Sequence, residues 1–316
     1  MEPRRNELDL RRRENPRRPI AVYRELAPCA ALRGHVYAFF SFVPARVSAP
    51  TNRLVLRETA FCAGESFSSP LFADANVSIV LRFGKSCDAH GRWHVDPLGP
   101  GSEVIGPMTI VGSRSTQERP EMVGVYFRAA QASPFLCLPI SELTDRIVDV
   151  DDVWGAAGAA LPMDLAGLDE ATRVDRLEAT LLDRLERYRN RGTGIDTAGL
   201  ASSVVRCGGR LTVARLASAA GVSRQHLART FRERVGLAPK TFCSLARFQS
   251  SLPFTGRRDV DWAQAAATIG YADQSHMIAE FRRFSSLTPE ALRAGAWFHP
   301  FIVRARERYF TPASER

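Results

Sequence analysis

The sequence predicts an α+β protein with a β-rich N-terminal half, an amphipathic connecting helix and an all-α C-terminal domain of two helix-turn-helix units. Three observations predict it. Between residues 20 and 150 the apolar residues fall in short β-branched and aromatic runs separated by Gly, Pro, Ser and Asp. Around residues 169–191 they recur at helical spacing. Beyond residue 195 one helical pattern occurs twice, offset by 50 positions.

A chain of 316 residues suits two modest domains better than one large core. With 45% hydrophobic and 24% charged residues it has the balance of a globular protein, not of a disordered one. No run of about eighteen uncharged apolar residues offers a membrane-spanning helix. The basic start, MEPRRNELDLRRRENPRRP, lacks the apolar stretch of a secretory signal. The expected location is therefore the cytoplasm, with no membrane partner. The six cysteines (Cys29, Cys62, Cys87, Cys137, Cys207, Cys243) form no CxxC pair, and read as small buried hydrophobes. The net charge of +9 is carried almost wholly by arginine, since Lys85 and Lys240 are the only lysines. The planar guanidinium fork suits phosphates and guanine edges.

Residues 1–19 hold seven arginines and few apolar residues, so they read as a flexible basic arm, either simply solvated or touching phosphates. The runs HVYAFFSFV, RLVLRE, VSIVLRF and MVGVYFR follow as strands. No helix-length period alternates with them, which excludes a βαβ enzyme fold and favours a small antiparallel barrel or sandwich. In CDAHGRWH, Cys87, His90 and His94 are weak metal candidates. Gly91 and the polar density instead suggest a surface loop between strands, and no fourth ligand is placed, so no metal and no cofactor is expected. There is no nucleophile elbow, Walker loop or GxGxxG after a strand, and no catalytic residue is assigned.

DVWGAAGAALP predicts a short helix. In the next stretch Val174, Leu177, Leu181, Leu185 and Tyr188 recur at steps of three and four, with Asp, Glu and Arg opposite. That stripe requires a partner: the β domain of the same chain, or its twin in a homodimer. RGTG at 191–194 ends the helix and marks a boundary.

The repeat sets Ser223 against Asp273, Leu227 against Met277, Phe231 against Phe281, Leu237 against Leu287 and Pro239 against Pro289. Ala217 precedes Gly221 by four residues, as Ala266 precedes Gly270. Each piece has a role. The alanine allows two helices to cross closely, and the glycine ends the first helix in a left-handed conformation. Ser223 or Asp273 supplies the N-cap oxygen of the second helix, and the paired apolar residues anchor it. This is a helix-turn-helix written twice. Between the copies, PKTFCSLARFQSSL begins at Pro239 and carries Phe242, Leu245 and Ala246 at core spacing, so one rigid helix joins the units.

Arg224, Gln225, Ala228, Arg229 and Arg232 fall opposite the anchor of the first unit, and Gln274, Ser275, Ala279, Arg282 and Arg283 opposite that of the second. Residues 207–296 hold thirteen basic side chains against six acidic ones, leaving +7 in this region. A surface that faces phosphates needs such a charge. Two outward helices on one face could enter adjacent major-groove segments about 34 Å apart.

LTVARLASAAGVSRQHLARTFRERVGLAPKTF, with WAQAAATIGYADQSHMIAEFRRFSSLTPEAL, resembles the DNA-binding domain of AraC-family bacterial transcription regulators. YRELAPCAALRGHVYAFFSF and the span from ADANVSIVLRFG to LTDRIVDVDDVWG resemble the N-terminal domain of one AraC-type subgroup. The resemblance implies a cupin-like, effector-sensing N-terminal domain and double-stranded DNA as the partner, with RNA polymerase as a candidate contact. By family position Gln225, Ala228 and Arg229 would face bases in the first unit, with Ser223 at its cap. In the second, Ser275, His276 and Ala279 would do so, although His276 serves equally as a packing or phosphate-bonding residue. Two departures stand out: Ala279 replaces a common arginine, and Ser286 a common glycine. Together, pattern and resemblance divide the chain into a basic arm (1–19), an effector-sensing domain (20–165), a linker and dimerisation helix (166–192), the DNA-binding domain (193–300) and a tail (301–316). An enzyme-like or DNA-repair N-terminal half is the alternative the family also contains.

Overall fold

The computed structural model describes residues 20–45, 51–61, 72–88, 92–111, 119–188, 195–257 and 259–294. The basic arm, the 301–316 tail, the RGTG boundary, Cys62 and His90 lie outside these residues.

Among the described residues, the N-terminal half forms one antiparallel sheet of seven strands: β1 (Ala21–Leu26), β2 (Val36–Pro44), β3 (Val55–Phe61), β4 (Ser78–Cys87), β5 (Trp93–Ile105), β6 (Arg119–Phe127) and β7 (Ile147–Asp149). Their order across the sheet is β3-β1-β2-β6-β4-β5-β7. The four predicted runs became β2, β3, β4 and β6. The loop predicted before Trp93 falls on residues 89–91, outside the described residues; on either side of it Cys87 of β4 pairs with Trp93 of β5, and Ser86 with His94. Alternation sends Phe39, Ile79, Leu81 and Val123 to one face of the sheet, and Tyr23, Phe40, Phe42 and Val80 to the other.

Helices cover the first face. They are α1 (Ser133–Leu136), α2 (Val150–Trp154), α3 (Ala156–Ala166) and α4 (Glu170–Tyr188). Val174, Leu177 and Leu181 of α4 are fully buried in the sheet's own core, with Leu185 beside them. The stripe's partner is thus the chain's own β domain. A twin is not needed to cover it, and α4 belongs to the N-terminal core instead of standing apart as a linker. Ion pairs fix its register. Arg173 donates to Glu121 at 2.6 Å with both side chains buried, and lies over the Phe83 ring. Arg24 reaches Glu170 at 2.9 Å, and Arg53 reaches Glu178 at 2.5 Å.

The C-terminal region is all helix: α5 (Thr197–Arg206), α6 (Val213–Ala219), α7 (Arg224–Val235), α8 (Pro239–Ser251), α9 (Trp262–Ile269), α10 (Gln274–Ser285) and α11 (Pro289–Ala294). Its core joins Leu216, Leu227, Phe231, Phe242, Phe248 and Phe281. Phe72, from the segment between β3 and β4, is buried in this same helical core. Among the described residues, no helix is long and apolar enough to cross a membrane.

The cysteines fit their reading only in part. Cys87 and Cys243 are buried and burial pushes both thiols up to about 11, but Cys137 is exposed.

Candidate nucleic-acid interface

Both predicted units form by the local rules that named them. α6 ends beside Gly221 at φ +64, and the Ser223 hydroxyl accepts the His226 N–H at 3.1 Å to start α7. α9 ends at Gly270, φ +95, and the Asp273 carboxylate accepts the His276 N–H at 2.7 Å to start α10. Ala217 and Ala266 are buried at the two crossings, and each second helix is pinned by its anchor pair, Leu227 with Phe231 or Met277 with Phe281. α8 runs continuously between the units, and Phe248 stacks edge-on to Phe281 with centroids 5.1 Å apart.

With the anchors inward, the opposite faces are open. Arg224, Gln225, Arg229 and Arg232 on α7 are exposed, as are Gln274, Ser275, Ala279, Arg282 and Arg283 on α10. Ala228 is half-buried, because it borders the anchor row. Ser223 is exposed, but its hydroxyl already serves as the cap. Among the described residues, the ion pairs of the helical region engage Arg247, His276 and Arg293, and none of the outward arginines. These guanidiniums therefore keep their charge for a ligand.

His276 is held from two sides. Its ring meets Tyr271 edge-on at 5.3 Å, and Nε2 lies 3.8 Å from the Glu280 carboxylate. Both neighbours are buried, so the ring packs the turn while its outer edge faces solvent. Its counterpart 50 residues earlier, His226, is also exposed. Sequence reasoning passed over His226, although the repeat offset pointed to it.

The weak metal group does not assemble. Cys87 and Trp93 share a face of the hairpin, and Ser86 and His94 the other, so Cys87 and His94 point to opposite sides of the sheet. Among the described residues, no group of three His, Cys, Asp or Glu could hold a metal ion.

The family model described as a helix-turn-helix domain matches residues 216–295, and that of a domain of unknown function, DUF6597, matches residues 24–149. No curated relative matches the chain. Among solved structures, ToxT from Vibrio cholerae O395 is 11% identical, with 71% of this chain and 92% of that one covered at a TM-score of 0.35. A transcriptional regulator from Chromobacterium violaceum, titled as containing an AraC-type DNA-binding domain, is 22% identical over 30% of this chain and 86% of its own, at a TM-score of 0.28. Likenesses at these scores add nothing to the local geometry described above. The C-terminal region is a helix-turn-helix domain. Its two capped units are joined by one helix, and it is preceded by a β-rich region that matches a domain model of unknown function.

Proposed function

We propose that this protein is a sequence-specific transcription regulator that reads two adjacent major-groove segments of duplex DNA with α7 and α10. One observation carries the reading: two helices of the same capped and anchored construction each present exposed arginines that, among the described residues, no carboxylate pairs with. Arg229 and Gln225 are assigned to base edges, which their bidentate groups fit. Arg224, Arg232, Arg282 and Arg283 are assigned to phosphates, which position the domain on the duplex. Ala279 offers only a methyl, so α10 reads less than α7, through Ser275 and the outer edge of His276.

The β-rich domain is assigned a small-molecule effector. Its second sheet face gathers Tyr23, Phe40, Phe42 and Phe61 into a buried apolar cluster, the part of the domain to which an apolar effector is assigned. The homodimer is assigned a surface other than the covered stripe of α4.

Selection of bound duplexes from a random pool by the full chain tests the DNA reading. Two short motifs about one helical turn apart are expected. Recovery of unenriched sequence would overturn sequence-specific binding, and a single motif would overturn the two-helix reading.

A further inference from the structure

The N-terminal half touches the helical region near the C-terminal end of the second helix in each unit. At the end of α7, the Thr144 hydroxyl donates to the Gly236 carbonyl at 2.7 Å. At the end of α10, the Ala73 N–H donates to the Phe284 carbonyl at 2.9 Å. The last carbonyls of a helix have no partner within it, so each contact satisfies a group the helix cannot. The packing agrees. Gly236 lies so close to Pro107, Thr144 and Ile140 that a Cβ there would meet them at 2.8–3.1 Å. Phe72 fills the core beneath α10.

The two contacts are parts of one block. Asp74 and Met108 exchange both backbone hydrogen bonds, at 2.9 and 2.7 Å. The Asp145 N–H donates to the Pro107 carbonyl at 2.8 Å, and its carboxylate accepts from the Thr109 N–H and hydroxyl at 2.5 and 2.7 Å. The Gly106 N–H donates to the Arg146 carbonyl at 3.0 Å. Segments 72–76, 106–109 and 143–146 are thereby laced together. Gln249 of α8 adds a third tie, to Asp74 at 3.4 Å.

We infer that this block is a bracket that fixes α7 and α10 relative to one another, so that Phe72 and Thr144 are positioning residues for the spacing of the DNA sites. The inference rests on the two-helix reading above. Within the helical region α8 and the shared core join the units. The bracket adds a second set of ties, and a frame joined twice resists the twist that a mis-spaced site would demand. Neither residue lies on the outward faces of α7 and α10, so their loss leaves each unit's own contacts intact.

The test uses the full chain and duplexes carrying the two selected motifs, at the selected spacing and with about five base pairs inserted, half a helical turn. A duplex with one motif serves as the reference. The protein itself is expected to lose at least about tenfold in affinity on the insertion, ~1.4 kcal/mol. Thr144→Val, Phe72→Ala and the double variant are expected to reduce that loss, to less than about threefold in the double variant (~0.7 kcal/mol), with one-motif binding unchanged. Thr144→Val keeps the side-chain shape, so it decides the matter should Phe72→Ala not fold. Variants that retain the full tenfold discrimination overturn the bracket. A parent protein indifferent to the insertion overturns the two-helix reading itself, and the bracket with it.

Discussion

Arg234, in the last turn of α7, donates a hydrogen bond to the Tyr188 hydroxyl at 2.7 Å, joining α7 to the last residue of α4. The donor is charged and the site half-buried, a setting in which a hydrogen bond contributes about 1–2 kcal/mol. Tyr188→Phe is expected to lower the unfolding free energy by about 1 kcal/mol with the denaturant slope unchanged. A variant as stable as the parent in urea would show that water replaces the contact.

Glu178 links α4 to the loop before β3 and to the Cys29 amide. Burial alone would raise its carboxyl, but the hydrogen bonds from Arg53 and Cys29 outweigh that and hold it below the ordinary 4.5. A carboxyl depressed in the folded state stabilises above its unfolded value, and the contribution is lost as pH falls through the folded one. Stability should be insensitive to this group near neutrality and fall below about pH 4.5. In Glu178→Gln, urea midpoints should start lower at neutral pH and decline less steeply in acid. An unchanged acid limb would assign the decline to other carboxylates.

Leu181 is fully buried against the sheet, and its truncation leaves a cavity. Leu181→Ala should cost about 2–5 kcal/mol, by the same amount at every protein concentration. Destabilisation that grows on dilution would instead place Leu181 between two subunits.

The stripe also shows what the sequence could and could not reveal. Its spacing announced a helix with one buried face, but periodicity does not say what lies against that face. The helix-turn-helix units were legible because caps, positive-φ turns and anchor pairs act within a few residues of each other. Ser223, Asp273, Gly221 and Gly270 all took the predicted roles. β5 was missed because Pro97, Gly99, Pro100 and Gly101 read as turn residues, whereas Pro100 and Gly101 pair with Phe83 and Arg82 of β4 beside a register shift. Phe72 gave no signal at all. Leu71 and Phe72, set between Ser68, Ser69 and Pro70 on one side and Ala73 on the other, carry no period, and the socket of Phe72 is built by residues far along the chain.

Arg229 is exposed on α7, one turn from Gln225. Arg229→Ala should relax sequence preference at one base pair and weaken specific binding by about 1–3 kcal/mol, read from competition with single-substituted duplexes. Equal losses on specific and random DNA would reassign Arg229 to a phosphate.

Ser286 closes α10 at φ +59, where Gly236 closes α7 at φ +83. The left-handed region costs a side-chain-bearing residue about 1–2 kcal/mol, partly offset by the freedom glycine has in the unfolded chain. Ser286→Gly should therefore stabilise the protein by about 0.5–1 kcal/mol in denaturant titration. A destabilised variant would mean that the serine makes up its strain elsewhere.

The place of Phe72 in the helical core also sets an order of events. The sheet is synthesised first, and the socket for this ring exists only once α10 has been made. Until then an aromatic side chain stands uncovered. Closing contacts so distant along the chain is what slows folding, so the seating of Phe72 belongs to the late part of the reaction. The converse holds for the helices. Produced without the preceding segment, they would lack one aromatic side chain from their core, and the hollow left open would invite either collapse or association with another chain.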